Sequence, residues 1–318
     1  MVLVTGGTGF IGSHLVEKLA RSGVPVRCLV RRKAEFPAGV ETAKGDLATS
    51  DGLEAALAGV DTVVHLAGVT KALRPADYYA GNTRASENLA RVVARRAIRF
   101  VHVSSLAAAG PSPDGTPLRE DAEPHPVSDY GKSKLEAERV VRELVPSAVI
   151  IRPPVVYGPR DTGVYQILKG ISRGLVVEIS GGERWFSAIF IGDLVDGLLA
   201  AARVPKAVGR TYYLAYLKPV SWSDLRTIGG RIMARDPRVL RVPAPLASMV
   251  GLSAEMWAGI CRKPGILSRD KIREAKCRWW VCDPRRAAAD LGFQAATPPD
   301  AGLAITLAWY KEAGWLKY

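Results

Sequence analysis

Through its first half the chain alternates short apolar runs with longer stretches in which apolar residues recur every three or four positions. The runs are Val2–Val4, Val24–Val30, Asp61–Leu66, Phe100–Val103 and Ala148–Ile151. Helical periodicity covers Gly12–Arg21, Ser50–Leu57, Ala76–Arg96 and Ser128–Leu144. Short runs of apolar or β-branched residues suit a buried strand, whereas the longer periodic stretches suit helices that lay one face on a sheet. The alternation predicts an α/β fold, a Rossmann doubly wound parallel sheet that binds ligands at the carboxyl ends of its strands.

After Pro153 the pattern loosens. Pro and Gly punctuate it, the helical pieces shorten, and six of the seven tryptophans lie beyond residue 200. The expected division is a dinucleotide-binding domain over 1–160, to which 185–216 returns, and a smaller substrate-binding region built from 161–184 and 217–318. Within the returning part, Trp185–Ala202 reads as one more strand and helix of the main sheet. The apolar stretch Val242–Ile260 is interrupted by Pro243, Pro245 and Glu255, which predicts a surface or pocket-lining helix rather than a membrane span.

Composition changes this picture little. Of 318 residues, 48% are apolar and 24% charged, an ordinary globular mixture. The net charge of +13 raises the question of nucleic acid, but Arg31-Arg32-Lys33, Arg95-Arg96 and Arg285-Arg286 are the tight clusters, without interleaved aromatics. A basic surface and an anionic cofactor account for the charge, and no nucleic-acid partner is expected. Cys28, Cys261, Cys277 and Cys282 show neither disulfide nor zinc spacing, so reduced thiols and no metal are expected. A first strand at Val2 leaves no room for a signal peptide, which predicts a cytoplasmic location.

Candidate chemistry begins at the first strand-to-helix turn, Thr5-Gly6-Gly7-Thr8-Gly9-Phe10-Ile11-Gly12. Glycines three apart permit a tight turn, close approach to a pyrophosphate and tight packing of helix on sheet, and the helix points its orphan amides at the phosphates. Downstream, Val30 ends the second strand without a carboxylate for a ribose 2′-hydroxyl, while Arg31 stands where a bidentate clamp would hold a 2′-phosphate. NADP(H) is therefore favoured over NAD(H). Asp46 is a candidate for the adenine amino group or, alternatively, a helix cap. Leu66, Ala67 and Gly68 close the fourth strand with side chains small enough for a dinucleotide to cross, and His65 reads as a packed strand residue.

Tyr130 and Lys134 lie four apart on one helical face. A neighbouring ammonium favours the phenolate and brings a phenol toward a useful pKa. Ser105 ends the fifth strand as a hydroxyl donor for a substrate oxygen. The three suit hydride transfer between a nicotinamide and a carbonyl or alcohol. Among other residues, His14 is expected to be packed, Asp193 to cap the returning helix, Trp279, Trp280 and Trp309 to be core or interface, and Tyr165 and Trp185 to line a substrate cavity.

At these residues the chain resembles the extended short-chain dehydrogenase/reductase family, including NAD(P)-dependent epimerase/dehydratases. The carrying elements are TGGTGFIG at 5–12, Gly45-Asp46-Leu47, His65-Leu66-Ala67-Gly68, Asn82, Val103-Ser104-Ser105, Tyr130-Gly131-Lys132-Ser133-Lys134 and Arg152-Pro153-Pro154-Val155-Val156-Tyr157-Gly158-Pro159. The resemblance implies a seven-stranded core, a homodimer and Lys134 bonded to the nicotinamide ribose. It implies cofactor contacts from Thr8, Phe10, Ile11, Arg32 and Leu47, and places Pro153, Val155 and Val156 by the nicotinamide ring. It makes Ser105, Tyr130 and Lys134 the catalytic set.

Departures bear on substrate. Leu106-Ala107-Ala108 stands where the dehydratases carry an Asp-Glu pair, which disfavours lyase chemistry. Arg160, Arg173 and Arg184 form no decisive diphosphate-binding pattern. The Val30-Arg31 strand end and the apolar 242–260 segment resemble the dihydroflavonol-reductase-like and 3β-hydroxysteroid-dehydrogenase-like branches. The reading is an NADP(H)-dependent oxidoreductase acting on a small, rather hydrophobic carbonyl compound. The alternatives are a nucleotide-sugar epimerase with tightly held cofactor and a non-catalytic dinucleotide sensor.

Overall fold

The computed structural model describes residues 1–261, 265 and 268–318, without the side chains of 256–260. Six strands of the first half are β1 (Val2–Thr5), β2 (Val26–Val30), β3 (Glu41–Lys44), β4 (Thr62–His65), β5 (Arg99–Val103) and β6 (Val149–Ile151). With Thr211–Tyr212 they form one sheet of seven, entirely parallel, ordered Thr211–Tyr212, β6, β5, β4, β1, β2, β3. The order reverses between β1 and β4, the position where an open α/β sheet forms its ligand crevice.

One face of the sheet buries Val4, Val64, Val101 and Ile151 under α1 (Phe10–Arg21) and the helix Ile191–Arg203. The other buries Leu3, Val63, Phe100 and Ile150 under the helices Ala85–Val93 and Asp129–Leu144. The strands are thus apolar on both faces, as their continuous hydrophobic runs require.

Three departures have local causes. The expected helix Ala76–Arg96 is interrupted by a π-helical turn over Tyr79–Arg84, flanked by Pro75–Tyr78 and Ala85–Val93. There the Asn82 side chain bonds both backbone groups of Val69, and a methyl on Gly81 would collide with the Val69 side chain. The widened turn is what lets the chain after β4 seat against this helix. Second, the strand within Trp185–Ala202 does not join the main sheet. Ala188–Phe190 pairs in parallel with Val155–Tyr157, and Trp185–Phe186 pairs with Val220–Ser221 and Trp279–Trp280. The following helix and Thr211–Tyr212 do return. Third, Phe190 occupies the N-cap position of Ile191–Arg203 and no side chain caps the helix; the Asp193 carboxylate instead accepts the Thr297 amide at 2.9 Å and its hydroxyl at 3.1 Å.

Residues from 161–184 and from 217 onward, joined by Tyr157, Phe186 and Ala188, pack a second core around Leu168, Leu225, Leu307 and Tyr310. Trp309 and Tyr165 belong to its aromatic cluster with Tyr310 and Trp315.

Candidate active site

The glycine turn leads from β1 into α1. Gly6 has φ +71°, and a Cβ there would lie 2.7 Å from the Ala67 amide nitrogen, so the turn and the end of β4 approach as only glycine allows. A methyl on Gly12 would collide with the Gly6 carbonyl. Gly9 caps α1 without a side-chain acceptor, leaving the first amides of that helix to an external anion. Thr8 and Gly9 are exposed beside Phe10 and Ile11. Along the same sheet edge lie Arg31 and Arg32 after β2, Asp46 and Leu47 after β3, Leu66, Ala67 and Gly68 after β4, and Pro153 to Val156 after β6.

Arg31 and Arg32 are exposed, and among the described residues no carboxylate pairs with either. The Asp46 carboxylate bonds the Ala48 amide at 2.9 Å; it turns a loop rather than capping the helix that begins at Leu53. His65 is locked between Thr5 at 2.6 Å and Ser86 at 3.0 Å, and burial holds its imidazole neutral, with a pKa pushed down to about 3. His14 reaches Pro159 O at 2.9 Å, and Arg160 pairs with Glu17, so both tie α1 to the segment after β6.

Ser105 is the second residue past β5 and caps a short helix, Leu106–Ala109, by accepting the Ala107 amide at 3.1 Å. Helix Asp129–Leu144 crosses directly over it. The crossing depends on Gly131, where a methyl would collide with the Ala107 carbonyl. This contact brings Tyr130 beside Ser105, and both side chains line the same cavity. Ser128 caps the helix through the Gly131 amide at 3.0 Å. Farther along, buried Glu138 takes a bidentate pair from Arg152 at 2.9 and 2.7 Å, fastening the helix to β6. Asn82 donates to Ser133 Oγ at 2.9 Å and holds its other side.

Lys134 is buried, and its ammonium donates to the Val103 carbonyl at 2.8 Å. Burial pulls its pKa down to about 8, opposed by Glu138. Burial raises the Tyr130 phenol above its ordinary value, opposed first by the charge of Lys271 and then by Ser105. The cation that opposes burial at the phenol is Lys271. Lys271 lies 5.0 Å from the centre of the Tyr130 ring and pairs with Glu274 at 2.8 Å. It comes from the helix Arg269–Lys276, whose Asp270 carboxylate accepts the amides of Asp129 at 2.8 Å and Tyr130 at 3.3 Å. Sequence reasoning missed Asp270, Lys271 and Glu274, because no motif marks them and the contact spans some 140 positions.

Ser105 and Tyr130 open onto a cavity of about 360 Å³. Its walls are mostly apolar, with Val155, Phe186, Trp222, Leu225, Trp280 and Leu303 prominent. Trp185 lines it as expected; Tyr165 does not, and Trp280, packed as expected against the core, also faces this space. The described side chains of the 242–260 segment do not line it either: the wall facing Tyr130 is Arg269–Lys276. Arg184 is at the wall, but its guanidinium is spent on the carbonyls of Ile179, Ser180, Gly182 and Ala275. Arg160 is paired with Glu17 and Arg173 is exposed away from the cavity. Among the described residues, no group of acidic, histidine or cysteine side chains is arranged to hold a metal.

The glycine cradle, the uncapped α1 terminus and a buried ammonium with donors to spare fit a dinucleotide laid from β3 across to β6. Comparison with known proteins agrees. Residues 2–215 match the model of the NAD dependent epimerase/dehydratase family. A ceramide reductase of Caulobacter vibrioides is 31% identical, over 99% of this chain and 96% of the relative. A farnesyl-dihydroquinoline-oxide ketoreductase of Stigmatella aurantiaca is 30% identical over 81% of this chain and 80% of the relative. Among solved structures, MoeE5 in complex with UDP-glucose and NAD superposes with a TM-score of 0.80 at 27% identity, covering 98% of this chain and 99% of that one. The chain belongs to the NAD-dependent epimerase/dehydratase family and is an NAD(P)-dependent enzyme of the extended short-chain dehydrogenase/reductase type.

Proposed function

We propose that the enzyme is an NADP(H)-dependent reductase of a hydrophobic carbonyl compound, a long-chain keto-lipid being the best match. One observation carries this reading: the space in front of Ser105 and Tyr130 is walled by aromatic and aliphatic side chains, and its one arginine is already bonded to backbone carbonyls. A nucleotide-sugar diphosphate would leave its charge facing largely apolar walls, at a cost of several kcal/mol, because Arg184 is bonded to carbonyls and the other lining cation, Lys271, is paired with Glu274. An acyl or isoprenoid chain gains about 0.8 kcal/mol per buried methylene in the same place. The ceramide reductase and the ketoreductase among the relatives support a lipid-like substrate.

In this reading Ser105 donates a hydrogen bond to the carbonyl oxygen, and Tyr130 delivers a proton to that oxygen as it becomes an alkoxide. A bound nicotinamide supplies the hydride. Lys134 holds the nicotinamide ribose with the donors not used on Val103, and Lys271 moderates the burial that would otherwise hold the Tyr130 proton too tightly. Gly6, Thr8, Gly9, Phe10, Ile11 and Gly12 cradle the pyrophosphate. Asp46 and Leu47 flank the adenine, Leu66, Ala67 and Gly68 line the crossing, and Pro153, Val155 and Val156 back the nicotinamide. Exposed Arg31, with Arg32 beside it, supports NADP(H) over NAD(H). A homodimer and a cytoplasmic location belong to the same reading; the family resemblance supports the dimer, and four free thiols the location.

Trp185, Trp222 and Trp280 at the cavity wall give a direct assay. Titration with a long-chain keto-amide should quench their emission saturably, and UDP-glucose should not. Quenching by UDP-glucose alone would favour the epimerase reading.

A further inference from the structure

Helix Ala244–Cys261 is turned the opposite way from an ordinary surface helix. Its small residues face the protein: Ala247 and Gly251 are buried, and a methyl on Gly251 would sit 2.7 Å from the Ile272 side chain. Its large residues face outward, with Leu246 49%, Met249 64% and Val250 46% exposed on one helical face. The strand that feeds it, Arg238–Val242, runs parallel to Leu175–Ile179 with Leu240 opposite Val177. Leu175, Val177 and Leu240 are exposed in turn, so a second apolar strip adjoins the helix. Contiguous apolar exposure of this kind marks an interaction surface.

The border of this surface is cationic. Met249 and Leu252 share a groove with Arg269, Arg273 and Lys276, and Arg238 and Arg241 are exposed on the strand. Residues 235–276 hold nine Lys or Arg against four Asp or Glu. Three of those acids are already engaged: Glu255 pairs with Arg269, Glu274 with Lys271, and Asp270 caps the Tyr130 helix. No described helix is long and apolar enough to cross a membrane. An apolar face rimmed by Lys and Arg instead suits an interface where acyl chains lie just beneath anionic phosphates.

We propose that this face docks the enzyme on the surface of an anionic lipid bilayer. The docking surface and the cavity share one helix: Arg269, Ile272, Arg273 and Lys276 line the groove, while Lys271, Glu274 and Ala275 line the cavity on its other side. Docking therefore sets the cavity wall one helix away from the lipid layer. The inference rests on the surface and does not require the reductase reading.

Co-sedimentation with vesicles tests it. The full chain should bind vesicles of phosphatidylcholine containing phosphatidylglycerol, and bind about tenfold less to phosphatidylcholine alone or in high salt. The triple variant Leu246→Ser, Met249→Ser, Val250→Ser should lose about tenfold in binding to the anionic vesicles while NADPH affinity and thermal unfolding stay unchanged. A charge variant, Arg273→Glu with Lys276→Glu, should lose as much without touching an apolar residue. Absence of vesicle binding by the parent, equal binding by parent and variants, or a triple variant whose mass by light scattering falls from dimer to monomer without any vesicle binding would overturn the proposal. The last result would make a second copy of the chain the occupant.

Discussion

The carboxylate of Asp270 accepts the backbone amides of Asp129 and Tyr130, so a residue 140 positions beyond the phenol caps the helix that carries it. The carboxylate also faces the positive end of that helix dipole. Replacing Asp270 by Ala should cost about 1 kcal/mol of stability in urea denaturation. It should lower kcat severalfold by loosening Tyr130, and leave the NADPH dissociation constant unchanged, because Asp270 bonds the helix that carries Tyr130 and not the glycine turn. A loss confined to cofactor affinity would contradict this assignment.

Lys271 is the cation that acts on the Tyr130 phenol, and Glu274 acts in the opposite sense. With Lys271→Met, burial and Glu274 are left less opposed, so the phenol's pKa must rise. In the alcohol-oxidising direction the phenolate is the proton acceptor, and the rate climbs with pH through that pKa. The rising limb of the kcat–pH profile should therefore move to higher pH in the variant. A limb that stays in place or moves down would remove Lys271 from the proton-transfer machinery.

Lys134 gives a stability prediction. Its folded pKa of about 8 lies below the ordinary lysine value of 10.5, because burial penalises the charged form. Between those values the unfolded chain binds more protons than the folded one, so this group makes stability rise with pH across about 8 to 10.5. Below pH 8 the whole penalty is present. Lys134→Met should raise stability at pH 7 by at most about 3 kcal/mol and flatten that rise, while abolishing most turnover. Denaturation midpoints of parent and variant at pH 7 and pH 10 check it, and a Met variant less stable at pH 7 than the parent would contradict it.

Arg31 separates the two cofactors. Arg31→Ala should weaken NADPH binding by about ten- to a hundredfold, the scale of a lost charge-assisted pair, and leave NADH binding unaltered. Fluorescence titration with each cofactor reads this directly. Equal losses would place Arg31 outside the 2′-phosphate site.

What the sequence revealed and what it hid divide along the range of the interactions. The strands β1 to β6 and the turn at Gly6 to Gly12 are legible because apolar runs and glycine spacing are local, and a parallel sheet buried on both faces leaves each strand an unbroken signature. Ser105 and Tyr130 were also legible; Gly131, inside the same motif, is what lets their elements touch. Hidden features arise from contacts across long separations. The π-helical turn at Tyr79–Arg84 depends on Asn82 meeting Val69. The divergence of Ala188–Phe190 from the main sheet follows from its pairing with Val155–Tyr157. Lys271 reaches Tyr130 from a helix of only eight residues that carries no motif.

Turnover with defined substrates tests the central claim most directly. Purified enzyme given NADPH and a long-chain keto-lipid should oxidise one NADPH for each alcohol formed, and Tyr130→Phe should slow this by at least about a hundredfold while still binding NADPH. Interconversion of UDP-glucose and its 4-epimer with no added cofactor, and no NADPH consumption on any keto-lipid, would contradict the account.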